Sequence, residues 1–186
     1  IRRLMTEFQI LLAKGHTTLA YRRLMKAREL SEQHECYLYM LEIADQEKEL
    51  MVMGFDEVDN LETIVKREQQ AMEDTEVICG QLTEWVRISI YYFDHIRARS
   101  ETDLEVLQEM VDHPVYTNPG KKRLLRSRLI DCSNRSVYHT MAGEYHQALA
   151  INDEMLRDIE STPHRIFEHP NSYKYLIRNN LQLRVR

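Results

Sequence analysis

Glycine and proline are scarce in this chain, with 5 and 4 copies among 186 residues. So few breakers leave long uninterrupted periodic stretches and point to an all-helical protein. Cysteine is scarce too. Cys36, Cys79 and Cys132 are far apart and odd in number, and no C-x-x-C pair occurs. That argues against a disulfide framework and for reduced thiols packed inside apolar helical stretches of a cytosolic protein. No run of apolar residues reaches the roughly 18 needed to cross a bilayer. No G-x-G-x-x-G or G-x-x-x-x-G-K-[ST] loop offers a phosphate cradle, and no G-x-S-x-G elbow presents a nucleophile. No β-hairpin signal occurs. There is no excess of one charge large enough to favour nucleic acid: 30 acidic residues face 25 basic ones, a net charge of -5.

What the chain does have is apolar residues at helical spacing. Leu4, Phe8, Leu11 and Leu12 set the stripe of a first helix that Gly15 ends. Its amphipathic pattern is not that of a signal peptide. The chain does not begin with Met, which makes a fragment of a longer protein the expectation. Thr17 or Thr18 caps a second helix to about Gln33, with Ala20, Tyr21, Leu24 and Ala27 on one face. A third runs from about Glu35 to Met53 and stops at Gly54. Asp56 or Asp59 starts a fourth, mostly acidic helix. Gly80, with Thr83 as the following cap, is its expected end; a break at Asp74–Thr75 and one long helix through both are the alternatives.

The fifth helix, about Leu82 to Ala98, is the most apolar. Trp85, Tyr92 and Ile96 share a face expected to pack in the core, with Tyr91 pointing away toward a groove. Ser100-Glu-Thr-Asp103 forms a capping box that opens a sixth helix ending before Pro114. His113 to Gly120 reads as a loop, with Asn118 as cap and Pro119 at the first helical position. The seventh helix, Lys121 to Ala142, and the eighth, carrying Tyr145, Ala148, Leu149, Met155, Leu156 and Ile159, flank Gly143. After an irregular Ser161–Pro170 segment a ninth helix carries Tyr173, Leu176, Ile177 and Leu181.

Gly15 and Gly54 are 39 residues apart, and Gly54 and Gly143 are 89 apart. The second interval is about two steps of 44, within the range of two-helix repeats. One hairpin cannot bury both apolar faces, whereas stacked hairpins share a continuous core. After Gly143 come Tyr145, Ala148 and Leu149, two, five and six residues on; after Gly15 come Ala20, Leu24 and Ala27, five, nine and twelve on. In this spacing the chain resembles the tetratricopeptide-type helical repeat. After Gly54 the pattern departs at Asp59 and Lys66, and in the last hairpin Asn152 and Met155 replace the expected aromatic and small residue. The Trp and Gly of the family's first helix are missing. The resemblance implies an all-α, α-solenoid fold, a right-handed superhelix of antiparallel hairpins with about nine helices. A single domain over 1–186 is expected, with hairpins at about 1–33, 35–80, 82–113 and 120–161 and a terminal helix at 171–186.

The residues offer no catalytic constellation. His34-Glu35 begins like a zinc-protease motif, but position 38 is Leu. His164, Glu168 and His169 read as exposed loop residues, and His139 and His146 as surface histidines across the Gly143 turn. Lys121, Lys122, Arg123, Arg126 and Arg128, with Arg165, Lys174, Arg178, Arg184 and Arg186, make the second half the more basic one. That polarity reads first as a solvated face; as a binding surface it suits an acidic protein partner better than nucleic acid, since no aromatics interleave the cluster.

The expectation is therefore no catalytic, metal or cofactor site, no membrane contact, and a non-enzymatic scaffold for a protein or peptide partner. By the family's layout the first helix of each pair lines a concave face, which makes Arg128, Asn134, Tyr138, Arg178 and Asn179 the candidate partner contacts. Asn, Arg and Tyr suit such a face because they hydrogen-bond an extended backbone or its carboxylate. The alternative is a regulatory or sensory domain of a longer chain, binding a signalling peptide or, less favoured, nucleic acid. Leu176, Leu181 and Val185 have no following helix to cover them, which calls for a C-terminal continuation or a homodimer through this helix.

Overall fold

The structure, a computed structural model, describes residues 1–94, 100–117, 124–164, 166 and 170–185. Among these residues are nine helices and no strand. They are α1 (Arg2–Ala13), α2 (Thr17–Gln33), α3 (Tyr37–Val52), α4 (Leu61–Asp94), α5 (Glu101–Val111), α6 (Pro114–Thr117), α7 (Leu125–Met141), α8 (Tyr145–Glu160) and α9 (Pro170–Arg184). The all-α expectation is met. None of these helices is long and apolar enough to cross a membrane. The chain forms two compact units, Ile1–Glu76 and Val77–Arg186, divided inside α4.

In the first unit α1, α2 and α3 follow one another through turns of one kind. Gly15 sits at φ 76°. Its N–H donates to the Leu12 carbonyl and the His16 N–H to the Leu11 carbonyl, both at 2.9 Å. This pair of bonds satisfies the orphan carbonyls of α1 and reverses the chain within three residues. Gly54 at φ 78° makes the same pair, with Phe55 N–H on the Leu50 carbonyl. Between α2 and α3 the left-handed position is held by Glu35 at φ 51°, with Cys36 N–H on the Ser31 carbonyl. The expected caps at Thr17 or Thr18 are not used: His16 precedes α2 and makes no side-chain cap. The tight turn leads straight into the helix. Phe8, Ala20, Leu24, Ala27 and Leu50, all at 0 % exposure, form the core of this unit. The two alanines give neighbouring helices the room to approach.

The fourth helix does not start on Asp56 or Asp59. Asn60 caps it, its Oδ1 accepting from the Thr63 N–H at 2.9 Å. Asp59 is engaged elsewhere, in a closed quartet of charges. Glu47 on α3, 1 % exposed, accepts from Arg28 of α2 at 2.8 Å and Arg67 of α4 at 2.7 Å. The same two guanidiniums hold Asp59, Arg28 at 2.9 Å. Two cations and two anions cancel, so the buried carboxylate is both neutralised and hydrogen-bonded.

In the second unit, Gly80 does not end a helix. α4 runs through it, and a Cβ there would stand 3.0 Å from Val115 Cγ2. This glycine makes room for α6, whose residues lie in the stretch expected to be a loop. Asn118 and Pro119, the expected cap and first position, lie outside the described residues, as do Lys121 to Arg123 and Ile96. The capping box is as expected: Asp103 N–H donates to Ser100 Oγ, and Ser100 N–H to Asp103 Oδ2. Gly143, at φ 80°, closes the α7–α8 hairpin in the same way as Gly15, with Glu144 N–H on the His139 carbonyl at 2.8 Å.

Inside this unit a polar chain ties α4, α6 and α7 together. Gln81 Nε2 donates to Ser127 Oγ at 2.8 Å, Tyr116 Oη donates to the Gln81 carbonyl at 3.0 Å, and Asn134 Nδ2 donates to Tyr116 Oη at 2.6 Å. Burial, with Glu84 nearby, raises the Tyr116 phenol well above its ordinary value. Met155, Ile159 and Leu176 pack α8 against α9.

Candidate functional site

The second unit holds a groove of about 830 Å³ between four helices. Helical spacing explains each wall. On α4, Leu82, Trp85, Ser89, Tyr92 and Phe93 recur at steps of three and four and so share one face. On α7 the same steps give Arg126, Ile130, Ser133, Val137 and Thr140. α9 contributes Tyr173, Leu176, Asn179 and Leu183, and α8 contributes Asn152, Met155 and Ile159.

The groove is apolar with sparse polar groups. Trp85 is 40 % exposed and Phe93 72 %. Tyr92 and Phe93 meet edge to face at 5.7 Å. Leu129, Ile130, Val137, Met155 and Leu183 continue the surface. Among the described lining residues Arg126 is the single charged one, and no carboxylate is among them.

The aromatic stretch is turned the other way from the expectation. Trp85 and Tyr92 line the groove instead of filling a core. Tyr91 faces away from it, donating its hydroxyl to Asp103 Oδ1 at 3.0 Å. The core face of this part of α4 is carried by Val77, Ile78, Gln81 and Ile88.

Of the five candidate contacts, the groove takes up Asn179 alone. Asn134 is fully buried and serves Tyr116. Arg128 lies on a different face of α7 from the groove and pairs with Asp158 at 3.2 Å. Tyr138 packs edge-on against His139 at 5.2 Å, and that histidine contacts Glu144 Oε2 at 2.7 Å across the turn. Arg178 is on the outer side of α9, where Lys174, Ile177, Leu181 and Val185 line a shallow depression. Leu181 and Val185 are 60 % and 89 % exposed.

The reading of α7 fell on residues adjacent to the groove face: 128, 134 and 138 rather than 126, 130, 133, 137 and 140. It followed the polar and aromatic residue types. The groove face carries small hydroxyls and β-branched residues, which hydropathy does not single out. Asn152 did leave a signal, as a polar residue inside the apolar stripe of α8.

All three cysteines are free, but Cys79 is exposed and not packed in a core. Burial, with Glu154 and other carboxylates nearby, raises Cys132 to about 11, so its thiol stays protonated at neutral pH. Among the described residues no three His, Cys, Asp or Glu side chains sit together as a metal site. Of the loop histidines, His164 is half-buried, while His169, Glu168 and Arg165 lie outside the described residues, as does Arg186. Arg184 is paired with Asp153 at 3.1 Å.

The chain matches no family model, no curated protein and no solved structure.

Proposed function

We propose that the chain is a non-enzymatic binding module, a divergent tetratricopeptide-like stack of helix hairpins whose groove in the second unit takes a segment of a partner protein. The observation that carries this reading is the groove wall on α4, where Trp85 and Phe93 stand 40 % and 72 % exposed beside Tyr92. Exposed large aromatics in a concave apolar surface are the usual anchors of protein recognition. The recurring three-residue turns at Gly15, Glu35 and Gly143 support the hairpin repeat. Among the described lining residues there is no carboxylate to repel an acidic segment. A single cation among the described lining residues gives nucleic acid little to hold.

The test compares Ser133→Phe, which fills the groove, with Lys174→Glu on the outer face of α9. A partner captured from native lysate should bind the unaltered protein and Lys174→Glu and be lost with Ser133→Phe, circular dichroism being unchanged in all three. Retention by Ser133→Phe would refute the groove as the binding site.

A further inference from the structure

Away from the groove, α4, α6 and α7 share a polar cluster. Gln81 and Glu84 on α4 are three residues apart, and Ser127, Asp131 and Asn134 on α7 are spaced by four and three, so each set occupies one helix face. The bonds from Gln81 to Ser127 and from Asn134 to Tyr116 bring the two faces together. Acceptors outnumber donors here. Both amide nitrogens are engaged, yet Gln81 Oε1 and Asn134 Oδ1 are shut off from water and have no hydrogen-bond partner among the described residues. Glu84 is buried, and its described ion pair is with Arg87 of its own helix at 2.8 Å. Asp131 meets Arg135, again on its own helix, at 3.1 Å. Burial, then the charges of Glu84 and Asp131, raise the Tyr116 phenol, so both carboxylates lie close enough to act on it. Two unmet acceptors in one buried cluster call for a cause. A water would bring two protons and no charge. A cation meets carboxamide oxygens and carboxylates together.

We propose that this cluster binds one divalent cation of the calcium kind, held by the carboxamide oxygens of Gln81 and Asn134, the Ser127 hydroxyl and the carboxylates of Glu84 and Asp131. The donor set decides the class. All five groups offer oxygen, which suits a hard cation and not a metal that prefers sulfur or nitrogen. Two carboxylates cancel a charge of two. Carboxamide oxygens are ordinary calcium ligands, whereas magnesium keeps several waters, for which a buried cluster has little room. Three of the five donors are neutral, so no triad of His, Cys, Asp or Glu marks the place among the described residues. Asp131, its side chain 17 % exposed, opens the cluster to solvent. The site is separate from the groove, but α4 and α7 carry both.

The test uses the whole chain, stripped of ions with a chelator. Trp85 is the only tryptophan and directly follows Glu84, so its emission reads the site. Calcium chloride should shift that emission saturably below about 1 mM, with one ion per chain by calorimetry, and should raise the thermal midpoint. Terbium should luminesce when the protein's tyrosines are excited, and calcium should displace it. Glu84→Gln and Asp131→Asn, which keep the shape of the side chain, should each weaken calcium binding about tenfold or more. Glu154→Gln, at an exposed acid outside the cluster, should leave it unchanged. Asn134→Asp adds a third carboxylate; it should lower the midpoint of the ion-free protein, and calcium should restore it. No saturable binding at about 1 mM, or binding that neither Glu84→Gln nor Asp131→Asn weakens, would overturn the site and leave the two carboxamides to hydration alone. Magnesium bound as tightly as calcium would overturn the choice of ion. The groove stands or falls separately, by the Ser133→Phe comparison.

Discussion

Glu35 is the residue whose backbone and side chain disagree. It occupies the left-handed region at φ 51°, where the matching turns carry Gly15, Gly54 and Gly143. A Cβ in that region costs on the order of 1 kcal/mol. Glu35→Gly is therefore expected to stabilise the chain by about that amount in urea unfolding. Gly143→Ala should cost about as much, through backbone strain alone, because nothing lies within 4 Å of the added Cβ. The charge quartet gives a pH dependence whose two acids have opposite signs. The hydrogen bond from Arg67, foremost, holds Asp59 below its ordinary value. Burial raises Glu47, against the pull of both arginines. Stability from Asp59 is present above its unfolded value and lost as pH falls through the depressed folded one. The folded state takes up a proton on Glu47 before the unfolded chain does, so falling pH through that raised value favours the fold. Urea midpoints should hold level or rise as pH first drops from neutral. They should then fall below the ordinary aspartate range. Glu47→Gln should remove the first feature and keep the second.

At the scale of the element, α4 shows which parts of the structure were legible in the sequence. Turns at Gly15, Gly54 and Gly143 and the Ser100 capping box were legible because their causes lie within a few residues. Gly80 was not, because its cause is Val115 on another element. Glycine inside a helix looks like a stop until the close neighbour is known. The same holds for Asp59, an apparent cap whose partners Arg28 and Arg67 lie 31 and 8 residues away. The side of α7 that faces the groove depends likewise on where α4 and α9 lie, which periodicity does not supply. Gly80→Ala puts two effects in competition. The helix gains about 1 kcal/mol from alanine, while a methyl 3.0 Å from Val115 Cγ2 overpacks the contact, typically at a cost of about 1–3 kcal/mol. Overpacking should win. The double variant Gly80→Ala, Val115→Ala should be more stable than the two single losses added together. Strict additivity would mean that Val115 does not set this residue.

For the whole molecule, the chain divides between Glu76 and Val77 inside a continuous α4, beside the Asp74–Thr75 position that the sequence offered as an alternative break. Each unit nevertheless has its own polar lock: Glu47 with Arg28 and Arg67 in one, Gln81, Tyr116 and Asn134 in the other. The two locks share no residue, so each unit's stability can be altered separately. Arg67→Met removes half the hydrogen-bonded charge around a carboxylate that is 1 % exposed, a change that typically costs about 3 kcal/mol or more. That loss belongs to Ile1–Glu76. Trp85 reports on Val77–Arg186, whereas backbone circular dichroism reports on both units. In the Arg67→Met protein the dichroism transition should begin at lower urea than the Trp85 transition, a departure from all-or-none unfolding. A peptide bound in the groove should raise the Trp85 midpoint and leave the early dichroism phase in place, since only the unit that binds it is stabilised by mass action. Coincident shifts of both probes would show instead that α4 couples the two units into one cooperative fold.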